Sequence, residues 1–171
     1  MSTEFFNALG IFGRLEAMQE AYFASLQQKH YELPQNSEAL NTIPHLSLVV
    51  SYKVSHDDVA PYVSLLKQLR TRLPLTVRIN GTRIVNGHNI AVTFSIDQTE
   101  AVRALAGSMH LQEIIETDYL IVMREAPEAA QHSILEALKS TKTLTISDFM
   151  LCADRIDSTH ILHSSSEFQP S

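Results

Sequence analysis

The sequence predicts an α+β fold of duplicated β-α-β lobes, with two antiparallel sheets facing a central cleft and helices outside. Three observations carry this expectation. A strand-like run, His45-Leu46-Ser47-Leu48-Val49-Val50, opens a unit that reads strand, helix, strand, strand. A second unit of the same order opens at Tyr119-Leu120-Ile121-Val122-Met123. Each helix lies between two strands, and such halves bury their apolar faces by packing helices against one side of each sheet. No linker divides the 171 residues, a length that suits one well-buried core. The expectation is one pseudo-twofold domain, 1–171, with motifs at 45–52 and 119–124.

The elements follow in order. Glu4 to Ile11 is short and apolar and reads as a strand, with Gly10 and Gly13 as stops. Arg14 to Lys29 sets Leu15, Met18, Tyr22 and Leu26 at helical spacing, and Leu33 to Ile43 is a polar loop. His45 to Tyr52 is nearly continuous in apolar residues, which suits a central strand. Ser55, with Asp58 three residues on, starts a helix that turns Val59, Val63, Leu66 and Leu69 inward and that Pro74 closes. Leu75 to Val85 is a strand with a bulge at Asn80-Gly81, and Asn86-Gly87 fits a tight hairpin turn to a return strand, His88 to Ile96. Asp97 caps a helix over Thr99 to Ile115 that faces Val102, Leu105 and Met109 inward. Asp118 to Arg124 is the next strand. Pro127 suits the first position of a helix continuing over Glu128 to Ser140, with Ile134, Leu135 and Leu138 inward. Thr143 to Cys152 and Thr159 to Ser164 are strands, and Ser165 to Ser171 is a tail.

Composition bounds the function. With 44% hydrophobic and 19% charged residues the chain reads as soluble and globular. A formal net charge of -6 argues against the basic surface that extended duplex nucleic acid requires, yet a small pocket for one phosphodiester needs only a local field. No run is long and apolar enough to span a membrane, and Met1-Ser2-Thr3-Glu4 lacks the basic start of a signal peptide, so the expected location is the cytoplasm. The single cysteine, Cys152, lies in an apolar run and reads as an inert core thiol. No pattern specifies an oligomeric state.

The chemistry concentrates at Pro44-His45-Leu46-Ser47-Leu48. On a strand, residues i and i+2 share a side, so His45 and Ser47 point into the cleft while Leu46 and Leu48 pack behind. An imidazole titrates near pH 6.5 and can give or take a proton close to neutrality. This run resembles the first motif of the two-histidine phosphoesterase superfamily, whose members include RNA ligase-like and cyclic phosphodiesterase proteins. Phe5-Phe6-Asn7-Ala8-Leu9 and the helix after it are similar to that family's opening. The resemblance covers nearly the whole chain. It implies a duplicated α+β fold with one His-x-Thr/Ser motif per half. One histidine would remove a proton from the attacking water or hydroxyl, and the other would protonate the leaving oxygen. The two hydroxyls would hold the phosphate oxygens of a nucleotide or RNA end.

The second motif departs from this pattern, because Tyr119 and Ile121 stand where histidine and a hydroxyl belong. A phenol keeps its proton to about pH 10, so a tyrosine here suits donating a hydrogen bond or acting as a weak acid. Isoleucine offers a phosphate oxygen nothing. Loss of one proton-transfer group typically costs about 10² to 10⁴ in rate. The other histidines sit in the wrong elements: His30 at a helix end, His56 and His132 at helix starts, His88 at a turn, His110 late in a helix, and His160 and His163 on the closing strand. Each reads as solvated. No pair has the i, i+4 spacing of a metal-binding helix, so neither metal nor cofactor is expected.

Arg78, Arg83 and Arg124 can each lend positive potential to the cleft; strand phase decides, and Arg124, following the tyrosine strand, is the expected phosphate partner alongside Ser47. Tyr52, seven residues beyond His45, is expected on the opposite side. The expected site is therefore His45 and Tyr119 for proton transfer, with Ser47 and Arg124 for the phosphate. The leading expectation is a phosphoesterase-like protein that binds a nucleotide or RNA-end phosphate with catalysis impaired or lost. Two alternatives stay open. One is an active phosphodiesterase with His45 as base and Tyr119 as acid; the other is a protein-interaction module on the same scaffold.

Overall fold

The computed structural model describes residues 4–30, 43–109, 118–154 and 159–163. Most of the expected polar loop, His110 with the end of its helix, and the carboxy-terminal tail lie outside them. The elements are β1 (Phe5–Leu15), α1 (Ala17–His30), β2 (His45–Ser55), α2 (Ala60–Arg70), β3 (Leu75–Val85), β4 (Asn89–Phe94), α3 (Glu100–Ser108), β5 (Tyr119–Met123), α4 (Glu128–Leu138), β6 (Thr143–Asp154) and β7 (Thr159–His163). The order strand-helix-strand-helix-strand occurs twice, from β1 to β3 and from β4 to β6, with β7 left over.

All pairings are antiparallel, in the order β2-β1-β6-β3-β4-β5, with β7 on β6. β3 links the two halves of this arrangement. Its start, Leu75 to Arg78, pairs with β6, and from Ile79 it pairs with β4. One sheet is therefore β2-β1-β6 with β7, and the other is β3-β4-β5. α2 packs on β6 and α3 on β2, whereas α1 packs on β5 and α4 on β4. Each sheet thus has a helix pair behind it, and each mixes strands of both series, β6 joining β1 and β2 in one and β3 joining β4 and β5 in the other. The strand beside β2 is β1, not a strand of the unit that His45 opens, so the repeat begins one strand and one helix earlier than the sequence pattern suggests.

Local chemistry explains most boundaries. Ser55 ends β2 and its Oγ accepts a hydrogen bond from the Asp57 backbone at 3.3 Å, capping a 3₁₀ turn, His56–Asp58, that leads into α2. Asn86 and Gly87 take positive φ values of 55° and 77°, as the β3–β4 hairpin requires. Along β3, Ile79 and Gly81 pair with the consecutive residues Phe94 and Thr93, so Asn80 is the extra residue of the expected bulge.

Several expectations are corrected. β1 runs through Gly10 and Gly13 instead of stopping there. These glycines serve close approach: a Cβ on Gly13 would meet Ile146 Cγ2 at 2.9 Å, and one on Gly10 would meet the Phe12 ring at 2.7 Å. In α1 the buried residues are Phe23, Leu26 and Gln27, while Leu15 belongs to β1 and Met18 is 83% exposed. The α2 core face is Tyr62, Leu65, Leu66 and Leu69, with Val59 and Val63 only partly buried against it. In α3, Val102 and Ala106 are buried and Leu105 and Met109 are peripheral. Pro127 stands just before α4 as its cap, with extended ψ of 138°, instead of at its first position.

Between its partners β3 and β7, β6 leaves a stretch of backbone that a side chain closes. Arg70, in the last turn of α2, donates from Nη2 to the Phe149 carbonyl at 3.1 Å and from Nε to Asp148 at 3.2 Å. Asp148 is buried. Cys152, also buried, packs with Met150 and Phe12 in a small cluster apart from the main core. Burial pushes its thiol up to about 12. The native thiol is therefore expected to react slowly with a disulfide reagent at pH 8 and fast after unfolding, and equal rates would contradict this placement. The folded state holds the proton more tightly than a free thiol, so this contribution is intact at neutrality and declines as pH rises from about 9 toward 12.

Candidate functional site

β2 and β5 approach each other where the two sheets meet, and each carries one of the sequence motifs. Leu46, Leu48 and Val49 enter the main core with the helix residues Leu65, Leu66, Leu69 and Val102. His45 and Ser47, both partly exposed, face the other way. β5 repeats this: Leu120, Val122 and Met123 are buried, and Tyr119 and Ile121 are partly exposed. The sequence of burial from position 45 to 49 equals that from 119 to 123.

The two strands also share a defect. Ser47 and Val49 pair with the consecutive residues Phe12 and Ile11, so Leu48 is extra. Ile121 and Met123 pair with the consecutive residues Ala91 and Ile90, so Val122 is extra. A bulge thus follows the third residue of both motifs. Bulges occur beside functional sites because they re-aim the side chains around them.

This bulge corrects the expectation for Tyr52. Beyond Leu48 the alternation inverts, so Val50 pairs with Gly10 and Tyr52 with Ala8, on the face that carries Phe12 and Ser47. Tyr52 therefore shares the face of His45, at the far end of the strand, and is 55% exposed.

His45 is held from two sides. Its Nδ1 lies 2.7 Å from the Ile43 carbonyl. A carbonyl only accepts, so Nδ1 carries the hydrogen and Nε2 bears the lone pair of the neutral ring. The Phe12 ring meets the imidazole nearly edge-on, with centroids 5.1 Å apart and planes at 84°. Gly10 gives Phe12 the room to lie there. Across the ladder from His45 is Arg14, whose guanidinium forms a two-bond pair with Glu20 at 2.7 and 3.1 Å.

Around Tyr119 the arrangement differs. Its ladder partner is Thr93, whose hydroxyl donates to Asn80 Oδ1 at 2.6 Å. Arg83 lies over the Tyr119 ring, 5.5 Å from guanidinium carbon to centroid, and grips both oxygens of Asp118 at 3.0 and 3.1 Å. Hydrogen bonding to Arg83 holds the Asp118 carboxyl below the usual carboxylate range, and the same pair raises Arg83 above its ordinary value. Arg124 lies past the last paired residue of β5, Met123, and is exposed. Arg78 is occupied through its backbone by Gln98. Of the three arginines weighed from sequence, Arg83 is the one brought against Tyr119. The signal for it was the hairpin register, which turns Arg83, Ala91 and Ile121 to one side.

Two other described histidines take other parts. His56 stacks on Phe6 at 4.1 Å and pairs with Glu4 at 3.3 Å, so it is a packing residue. His88 lies in the β3–β4 turn, and its carbonyl accepts from Ala126. Among the described residues no three histidine, cysteine, aspartate or glutamate side chains come together as a metal would need, and no helix is long and apolar enough to cross a membrane.

No protein-family model matches the chain, and no curated protein matches it in sequence. Its fold, however, is found among solved structures. E. coli LigT complexed with 3'-AMP superposes with a TM-score of 0.54 at 14% identity, covering 94% of this chain and 97% of LigT. A structure described as a phosphoesterase superposes with a TM-score of 0.53 at 14% identity, covering 95% of this chain and 99% of the other. LigT complexed with NADP+ gives 0.52 at 14% identity over 94% and 97%. At such identities the likeness establishes architecture: this chain has the LigT-like α+β fold.

Proposed function

We propose that this chain is a two-histidine phosphoesterase-like protein that binds the phosphate of a nucleotide or RNA end between its two motif strands, with its catalysis impaired or lost. The observation that carries this reading is the equivalence of β2 and β5. Both present their first and third residues on a partly exposed face, and both bulge at the fourth. In this reading the two halves are related by a pseudo-twofold axis, so His45 corresponds to Tyr119 and Ser47 to Ile121. One half keeps the histidine and the serine hydroxyl, and the other has a phenol at the first position and no hydroxyl at the third. LigT, which shares the fold, has been crystallised with 3'-AMP and with phosphate, which supports a nucleotide phosphate as the ligand class.

Within this reading His45 meets the phosphate as the imidazolium, donating from Nε2 to a phosphate oxygen while Nδ1 donates to the Ile43 carbonyl. Ser47, on the same face, donates its hydroxyl to a phosphate oxygen. Tyr119 donates a phenolic hydrogen bond from the facing strand and Ile121 excludes water. Calorimetric titration with 3'-AMP and a nucleoside 2',3'-cyclic phosphate tests it. Binding is expected for the native chain and at least about 10-fold weaker for His45→Ala, as for loss of a hydrogen bond to a charged group. Turnover of the cyclic phosphate is expected to be slow or absent. Robust turnover lost in His45→Ala and sharply lowered in Tyr119→Phe would instead identify an active enzyme with Tyr119 as acid. Binding indifferent to His45, or none, would reject the proposal.

A further inference from the structure

The feature left unused by that reading is the Arg83–Asp118 pair over the Tyr119 ring. We propose that Arg83 is the anion-binding group of the second half of the cleft, seated on Tyr119 and held by Asp118 as an internal anion that a ligand's terminal phosphate displaces. This inference rests on the reading that the cleft takes a nucleotide phosphate.

Five observations carry it. The ladder pairs Arg83 with Ala91 and Ala91 with Ile121, so Arg83 stands on the face that presents Tyr119 and Ile121. Its guanidinium lies over the phenol ring. A guanidinium stacked on an aromatic face keeps its N–H edge for a two-oxygen acceptor, and the Asp118 carboxylate fills that edge with two bonds. The pair is also exposed, at 45% and 44% of the side chains, and exposed pairs contribute little to holding a fold together. Exchange of its anion therefore costs the protein little. Finally, position 121 carries isoleucine, so the third position of the second motif supplies no hydroxyl, and Arg83 stands on the same face.

The chemistry selects a ligand class. A carboxylate and a phosphate both offer two oxygens at the spacing of the guanidinium fork. To displace a tethered monoanion, the incoming group does best with more charge than the group it replaces, which favours a phosphate monoester dianion. Tyr119 then has a role distinct from proton transfer: its ring lies under the guanidinium and steadies the cation. Asp118 sets the threshold a ligand must exceed.

The test is titration of the full chain with 3'-AMP, with adenosine as the phosphate-free control. Arg83→Ala is expected to weaken 3'-AMP binding about 10-fold or more, as for loss of a charge-assisted two-bond contact. Asp118→Asn, which keeps the shape and removes the competing charge, is expected to tighten it about 2- to 5-fold. Adenosine binding should be indifferent to both. Circular dichroism confirms that each variant is folded. Binding that needs His45 yet ignores both substitutions, or Asp118→Asn binding no tighter than native, overturns this inference and leaves the proposed function standing. Absence of binding by both the native chain and Asp118→Asn overturns both.

Discussion

Tyr119→His combined with Ile121→Thr is expected to raise the rate of nucleoside 2',3'-cyclic phosphate hydrolysis by about 10² to 10⁴ over the native chain. The expectation follows from the shared geometry of β2 and β5. A histidine at 119 would stand on its strand as His45 stands on β2, partly exposed and two residues ahead of the bulge. Threonine keeps the branched shape of isoleucine and adds the missing hydroxyl. With both in place, water would lose a proton to His45 Nε2 as its oxygen bonds to phosphorus. The bond from phosphorus to the leaving ribose oxygen would break as that oxygen takes a proton from the second imidazole. Product chromatography over a pH series measures it, and a bell-shaped profile is expected because one ring must be neutral and the other charged. Folded double variant with native-level turnover would mean that the two strands do not address one phosphate. Tyr119→His alone is expected to recover part of the gain.

Arg70→Ala carries the largest expected cost to stability. Asp148 is buried, and Arg70 donates to it while also closing the Phe149 carbonyl between β3 and β7. Taking a charged hydrogen-bond partner from a buried carboxylate typically costs about 1 to 3 kcal/mol. For a chain of this size that corresponds to a fall in Tm of roughly 2 to 12 °C. Arg70→Lys is expected to be intermediate, because an ammonium cannot reach carboxylate and carbonyl with a planar fork. Thermal melts followed by circular dichroism measure both, and a native Tm for Arg70→Ala would remove this contact from the account of how β6 is held.

The parts of the fold that local chemistry dictates were legible in the sequence. Ser55 as a cap, Asn86-Gly87 as a turn and Asn80 as a bulge each follow from side-chain or backbone preferences acting over a few residues. Strand runs such as His45 onward and Thr143 onward were legible for the same reason. What escaped were effects set by partners far along the chain. β1 reads as broken by Gly10 and Gly13 because the reason for those glycines lies in Phe12, Leu46 and Ile146. The buried side of α1 is not legible in the sequence because its apolar residues form no single stripe, and contact with β5 and α4 selects Phe23 and Leu26.

Site residues divided along the same line. His45, Ser47, Tyr119 and Ile121 could be singled out because a period of two is readable in a strand. The inversion at Leu48, which carries Tyr52 to the face of His45, could not be read, since a bulge is a property of a strand pair. Arg83 was one of three arginines until the β3–β4 register turned it to Tyr119. Phe12 as the residue against His45 depends on β1 lying beside β2, which the order of elements in the second half of the chain did not suggest.

A crystal structure of the native chain soaked with 3'-AMP tests most directly whether the first and third residues of β2 and β5 address one anion. The phosphate is expected within hydrogen-bonding distance of His45 Nε2 and the Ser47 hydroxyl, with Tyr119 of β5 or Arg83 of β3 contacting it from the facing sheet. A phosphate bound on another surface, or reaching only one of the two sheets, would contradict this.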